Sequence, residues 1–182
     1  MRAHGRRKCL PEHQDGYHAC PNEPWSFGPE NTKILSDFVR LRYQLDKYLE
    51  ALFEDAANCG RPLQTPLFWD FASSDPHTLN SPDEFKHHFM FGPNLMVAPI
   101  TKAGVITYKV YLPSYVMSTE KVAQTRNSSG ADQWRDWWTD EPYKGGEYIS
   151  IEATIDRIPV FYRGTKHDIF SGKLYRRCRA GL

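Results

Sequence analysis

The side chains that could do chemistry fall into three groups. Cys9, His13, His18 and Cys20 lie close together and supply the ligand types of a tetrahedral zinc site. Their spacing, C-x3-H-x4-H-x-C, departs from finger and ribbon patterns, and the second arm that would fold around a metal is missing. They read as a loop with incidental Cys and His, so neither a metal nor a cofactor is expected. Glu23, Asp70, Asp75, Asp83 and Glu84 are of the type that serves as general acid, base or nucleophile. No pair among them has a spacing that predicts a face-to-face arrangement, and they read as caps, loop charges or surface ion pairs. Trp25 and Trp69 could stack on a sugar, but a Trp beside a helix start or in a buried strand is expected in the core. Trp134, Trp137 and Trp138 alternate imperfectly along a strand and read as core packing.

Composition narrows the partners. In 182 residues, 23 Lys and Arg face 22 Asp and Glu, a net charge of +1. A general electrostatic grip on nucleic acid or an anionic membrane needs a clear basic excess, so neither partner is expected. With 40% hydrophobic residues the chain can build a core, yet no run reaches the length of a membrane span. The basic start, Met1-Arg-Ala-His-Gly-Arg-Arg-Lys8, has no apolar stretch behind it and does not read as a signal peptide. Asn127-Ser-Ser129 fits a glycosylation acceptor, a triplet that also arises by chance.

The elements that must position these groups change character along the chain. Residues 1–22 show no apolar period and read as a loop. Asn22-Glu-Pro-Trp-Ser-Phe-Gly-Pro29 is dense in turn formers, and Pro29 suits the first turn of a helix. From residue 30 to 58 the apolar residues Ile34, Leu35, Phe38, Leu45, Tyr48, Leu49, Leu52 and Phe53 recur at three and four. This predicts one long helix or two in tandem, stopped by Cys59-Gly60. The short run Pro66-Leu-Phe-Trp-Asp-Phe71 is consistent with a buried strand, and residues 89–100 with another. Beyond them, β-rich runs at 105–112, 134–139, 148–152 and 158–163 predict a small antiparallel sandwich. The basic residues Lys166, Lys173, Arg176, Arg177 and Arg179 suggest that the end is a solvated extension.

Taken in order, the motifs become specific. They are Asn22-Glu-Pro-Trp-Ser-Phe-Gly28, Arg40-Leu-Arg-Tyr43, Arg61-Pro62, Phe89-Met-Phe-Gly-Pro-Asn-Leu-Met-Val-Ala-Pro99, Val110-Tyr-Leu-Pro113, Tyr143-Lys-Gly-Gly146 and Asp156-Arg-Ile-Pro-Val-Phe161. This series resembles the family 31 glycoside hydrolases, the α-glucosidases and α-xylosidases, from Met1 to about Gly164. The resemblance implies an α/β then all-β chain: the incomplete terminal part of a (β/α)8 barrel over residues 1–92, and a proximal β-sandwich over 93–164. A divergent basic tail, 165–182, would follow. Arg2-Ala-His4 matches the family's Arg-x-His motif, so His4 is implied to hydrogen-bond sugar hydroxyls. Arg2 either orients that site through bidentate hydrogen bonds or is a solvated charge.

In the same family the aspartate nucleophile and the aspartate acid/base precede this motif. A retaining glycosidase needs two carboxyl groups about 5–5.5 Å apart, so the isolated chain is expected to be a fragment without turnover, with Met1 an internal residue of a longer gene. The partner of the intact enzyme would be an α-linked oligosaccharide. A helix face awaiting barrel neighbours implies that Ile34, Leu35, Phe38 and Leu45 are less covered than their periodicity demands, and could lead to self-association. The rival reading is a non-catalytic sandwich that binds carbohydrate or protein. Three places depart from the family: Lys86-His-His88 appears as an insertion, Lys47 stands where relatives often carry Pro, and the likeness ends at Arg163-Gly-Thr165.

Overall fold

Gly28, at φ +86°, leads the chain from a 3₁₀ turn over Pro24–Phe27 into helix α1, Pro29–Gln44. The structure is a computed structural model and describes residues 23–80, 85–114 and 133–174. It divides into two units, Met1–Asp46 and Lys47–Leu182.

In the first unit, Thr32 ties the start of α1 to the preceding turn. Its hydroxyl donates to the Gly28 and Pro24 carbonyls at 2.7 and 3.1 Å. The helix fully buries none of its residues. Ile34, Leu35, Phe38 and Leu45 are half-buried, and Val39 and Tyr43 are exposed. The apolar period is therefore present but incompletely covered, as expected. The helical stretch is two helices in tandem, separated at Leu45 (φ −88°, ψ 8°).

The second unit takes in all but the first residue of α2, Asp46–Cys59, which buries Tyr48, Leu49, Ala51, Leu52 and Asp55 along one face. Each large apolar side chain of this kind contributes about 1.5–3 kcal/mol. Gly60, at φ +68°, closes the helix as the sequence predicts. The next segment corrects an expectation. Residues 66–71 are not a buried strand: β1 covers Gln64–Pro66 and a short helix α3 covers Leu67–Phe71. The four-residue spacing of the buried Leu67 and Phe71 suits a helix, and it turns Phe68 and Trp69 outward. Trp69 is 58% exposed and Trp25 72%, so neither takes the expected place in the core. A further turn of helix, α4, spans His77–Asn80.

Residues 89–100 likewise are not one strand. They form a hairpin of β2, Phe89–Phe91, and β3, Leu95–Val97, around Gly92-Pro-Asn94. The remaining strands are β4 (Thr107–Leu112), β5 (Gln133–Asp136), β6 (Pro142–Lys144), β7 (Glu147–Glu152) and β8 (Val160–Tyr162). Among the described residues they make two antiparallel sheets, one ordered β1-β2-β3-β8-β5-β6 and the other β4-β7. Residue 92, the expected division, thus falls within a hairpin turn, and strands from both sides of it share one sheet. Met90, Met96 and Phe161 from the large sheet, Val110 and Leu112 from the small one, and Trp134 close the core with Leu67, Phe71 and Phe85. The Trp134 indole N–H donates to the Pro113 carbonyl at 2.9 Å, so the ring is buried without an orphaned donor. Trp137 is buried and Trp138 half-buried, in line with their expected packing role.

The end of the chain is also corrected. Residues 165–174 are not solvated extension: α5, Lys166–Phe170, is capped by the Thr165 hydroxyl, which accepts from the Asp168 amide at 3.0 Å. Ile169 and Leu174 are buried, and Gly172 lies against the backbone of Lys47. No helix among the described residues is long and apolar enough to cross a membrane.

Candidate functional site

Arg2 and His4 lie outside the described residues, as do Cys9, His13, His18, Cys20, Asp83, Glu84 and Asn127. Among the described residues no group of three or more His, Cys, Asp or Glu could hold a metal ion. The remaining acidic candidates can be followed one by one.

Asp70 is carried on α3, where the helical turn points its carboxylate back toward the strand before it. One guanidinium nitrogen of Arg61 donates to both Asp70 oxygens, at 2.7 and 2.8 Å, and the Thr65 hydroxyl donates at 3.0 Å. Asp75 sits at the turn between α3 and α4. The Tyr111 hydroxyl and the Ser114 amide donate to its Oδ2 at 2.7 and 2.9 Å, and the His77 amide donates to Oδ1 at 3.2 Å. The Asp75 carbonyl also accepts from the Thr78 hydroxyl at 2.8 Å, which fixes the start of α4. Glu23 is exposed and precedes the first 3₁₀ turn. The Asp70 and Asp75 carboxylates are each engaged by fixed donors from neighbouring elements. Asp70 and Asp75 therefore join elements.

Two further acids outside the acid candidates above do similar work; one, Asp136, belongs to the series Trp134…Asp136…Trp138-Thr139 that also resembles family 31. Asp136 accepts from the Trp138 and Thr139 amides at 2.7 and 2.9 Å, shaping the turn after β5. The pattern Asp-x-Trp-Thr is an Asx-turn signal that could have found it. Asp140, at φ +61°, accepts from the Lys166 ammonium at 2.8 Å and the Tyr162 hydroxyl at 2.6 Å. These bonds hold its carboxyl below the usual carboxylate range, the Lys166 bond most strongly.

A dense polar and aromatic grouping surrounds Asp75. Phe85 stacks on Tyr111 at 5.2 Å between ring centroids, and the His77 ring meets Tyr111 edge-on at 4.8 Å. His77 Nε2 lies 2.8 Å from the Tyr148 hydroxyl, and the Lys109 ammonium sits 3.9 Å over the Tyr148 ring. Tyr111 and Tyr148 are register partners on β4 and β7, so their rings emerge on one face of the small sheet. Tyr148 is partly exposed, but Lys109 occupies one side of its ring. The grouping is a packed junction with a polar rim, and it carries no pair of unengaged acids. Its parts come from positions as distant as Asp75 and Tyr148, which no local motif connects.

Comparison with known proteins places this architecture. The sequence profile described as "Glycosyl hydrolase family 31 C-terminal domain" matches residues 60–166. "Alpha-xylosidase A" of Aspergillus niger is 37% identical over 179 residues, which is 96% of this chain and 22% of the relative. "Alpha-glucosidase 2" of Bacillus thermoamyloliquefaciens is 32% identical over 141 residues, 78% of this chain and 15% of the relative. Among solved structures, "Xylosidase from Aspergillus niger" superposes with a TM-score of 0.73 at 36% identity, covering 89% of this chain and 21% of that one. The chain thus spans about a fifth of the length of the relatives it matches most closely among these.

Proposed function

Because the chain belongs to glycosyl hydrolase family 31, we propose that it is the C-terminal portion of a retaining α-glycosidase that hydrolyses α-linked glucosides or xylosides. In this reading the helices before residue 60 complete the catalytic barrel, and the antiparallel sandwich braces it. His4, with Arg2 beside it, contacts the sugar in the intact enzyme. The nucleophile and acid/base belong to other parts of that enzyme, so the 182-residue polypeptide is inactive alone.

The observation that carries this reading is the use made of Asp70, Asp75 and Asp136. Asp70 and Asp75 tie elements together and Asp136 shapes its own turn, each through two or more hydrogen bonds. A retaining mechanism instead requires one carboxyl to attack the anomeric carbon and another to exchange a proton. Removing both leaves positioning without either bond-making step.

The test is incubation of the purified chain with a chromogenic α-xyloside and a chromogenic α-glucoside. The expected result is no release of chromophore above the uncatalysed rate. Turnover that persists after host glycosidases have been removed overturns the proposal. Self-association through the half-covered apolar side of α1 belongs to the same reading, and sedimentation over a range of concentrations measures it.

A further inference from the structure

His88 occupies the junction between the turn that precedes β2 and the inner face of β4. Its side chain is buried, with the residue 4% exposed. Nε2 lies 3.1 Å from the Tyr108 hydroxyl, while Nδ1 is buried and has no hydrogen-bond partner among the described residues. Phe85 and Tyr108 flank the ring, and the His88 amide donates to the Phe85 carbonyl at 2.7 Å.

This arrangement accommodates one ring proton but not two. With the proton on Nε2, the imidazole donates to Tyr108 and leaves a bare lone pair at Nδ1, a modest cost. A second proton would place a cation inside the protein with an N–H that no acceptor meets, and such a group is expensive to bury.

We propose that neutral His88 is a latch holding residues 85–88 against β4, and that acid opens it. Among the described residues, the charged and titratable groups near it offer no relief. Lys86 and His87 on its own turn are cations or potential cations, β4 presents Tyr108 and Lys109, β2 carries only Phe89, Met90 and Phe91, and His77 of α4 lies beyond Phe85. Burial, with a smaller push from His87, lowers the imidazole to about 4 from its ordinary 6.5.

The sign of the linkage follows. Above 6.5 the folded and unfolded chains are both neutral at this position, and its stability contribution is full. As pH falls from 6.5 toward 4, the unfolded chain takes up a proton that the folded chain refuses, and the folding equilibrium weakens ~100-fold. Opening would withdraw Phe85 from Tyr111, the ring whose hydroxyl holds Asp75. The local event thereby reaches the α3–α4 junction. This inference is independent of the glycosidase reading.

The test compares the full chain with His88→Gln, which keeps a donor for Tyr108 but cannot titrate, and with His87→Gln as a control. Urea unfolding is followed from about pH 7 to about pH 4.5, across the range where an ordinary histidine charges. The expected result is a shallower loss of stability with acid for His88→Gln than for the parent or His87→Gln. Parallel losses in all three overturn the proposal. Should His88→Gln not fold, the parent alone decides through NMR titration of the His88 ring and amide exchange. No ring titration above about pH 5, with exchange of residues 85–88 accelerating before the rest, supports the latch. A midpoint at the ordinary histidine value, or uniform acceleration across the chain, overturns it.

Discussion

Tyr48 closes over Gly92. The tyrosine hydroxyl donates to the Phe91 carbonyl at 2.7 Å and accepts from the Asn94 amide at 3.3 Å, bridging the turn whose first residue is Gly92 at φ +62°. A Cβ on Gly92 would run into the Tyr48 hydroxyl and Leu52. Gly92→Ala combines that overlap with a backbone conformation disfavoured by L residues, so it is expected to cost about 2–4 kcal/mol. Tyr48→Phe removes the bridge and keeps the ring, at about 1–2 kcal/mol. Urea unfolding of both variants checks the order, which a merely space-filling Tyr48 would not produce.

The Asp75 junction should behave as a coupled unit. Asp75→Ala strips the acceptor from Tyr111, Ser114 and His77 together and is expected to cost about 2–4 kcal/mol. Tyr111→Phe is expected to cost about 1–2 kcal/mol, and the double variant less than the sum of the two. A double-mutant cycle in urea that gave simple additivity would contradict the arrangement.

Ile169 tests whether the end of the chain belongs to the fold. It is fully buried, on a five-residue helix with little stability of its own. Ile169→Ala is expected to cost about 2–4 kcal/mol by leaving a cavity. Exposed Lys173→Ala, which loses only a surface contact with Asp168, should change stability by less than about 1 kcal/mol. Thermal unfolding of the pair separates a structural element from an appendage.

Alkali should weaken the large sheet through its tyrosines. Burial, followed by the bond to Glu141, pushes the Tyr143 hydroxyl up to about 12, and burial followed by the bond to Asp140 does the same for Tyr162. Between 10 and 12 the unfolded chain releases protons that the folded chain keeps, so stability falls as pH rises through that window. Tyr162→Phe and Tyr143→Phe are expected to flatten the slope. Phenolate absorbance of the folded protein, followed during titration, should show a late-ionising fraction that shrinks in each variant.

Local patterns account for what the sequence revealed of this fold. The face of α2, with Tyr48, Leu49 and Leu52, is long and periodic, and Gly60 marks its end. Residues 66–71 are too few to distinguish a strand from a helix by periodicity, although Leu67 and Phe71 stand at helical spacing. Residues 89–97 are apolar on both arms of the hairpin, and that continuity masked the turn signal of Gly92-Pro-Asn94. In the tail, charge drew attention from Ile169 and from the Thr165 cap. The Asp75 junction was the least legible, because Tyr111 and Ser114 reach it only after the sheet has formed. Arg2 and His4, proposed as sugar contacts, rest on family likeness alone, and they lie outside the described structure.

The central place of β8 has a consequence for synthesis. This last strand is seated between β3 and β5, so Met96 waits for Phe161 to emerge before its side of the sheet is complete. A nascent chain halted after β6 and before residue 160 would hold two raw sheet margins, on β3 and β5, each able to recruit a foreign strand. Premature termination here should therefore favour clumping and clearance over a partly working remnant, and the ribosome must deliver almost the whole segment before any of the sandwich becomes safe.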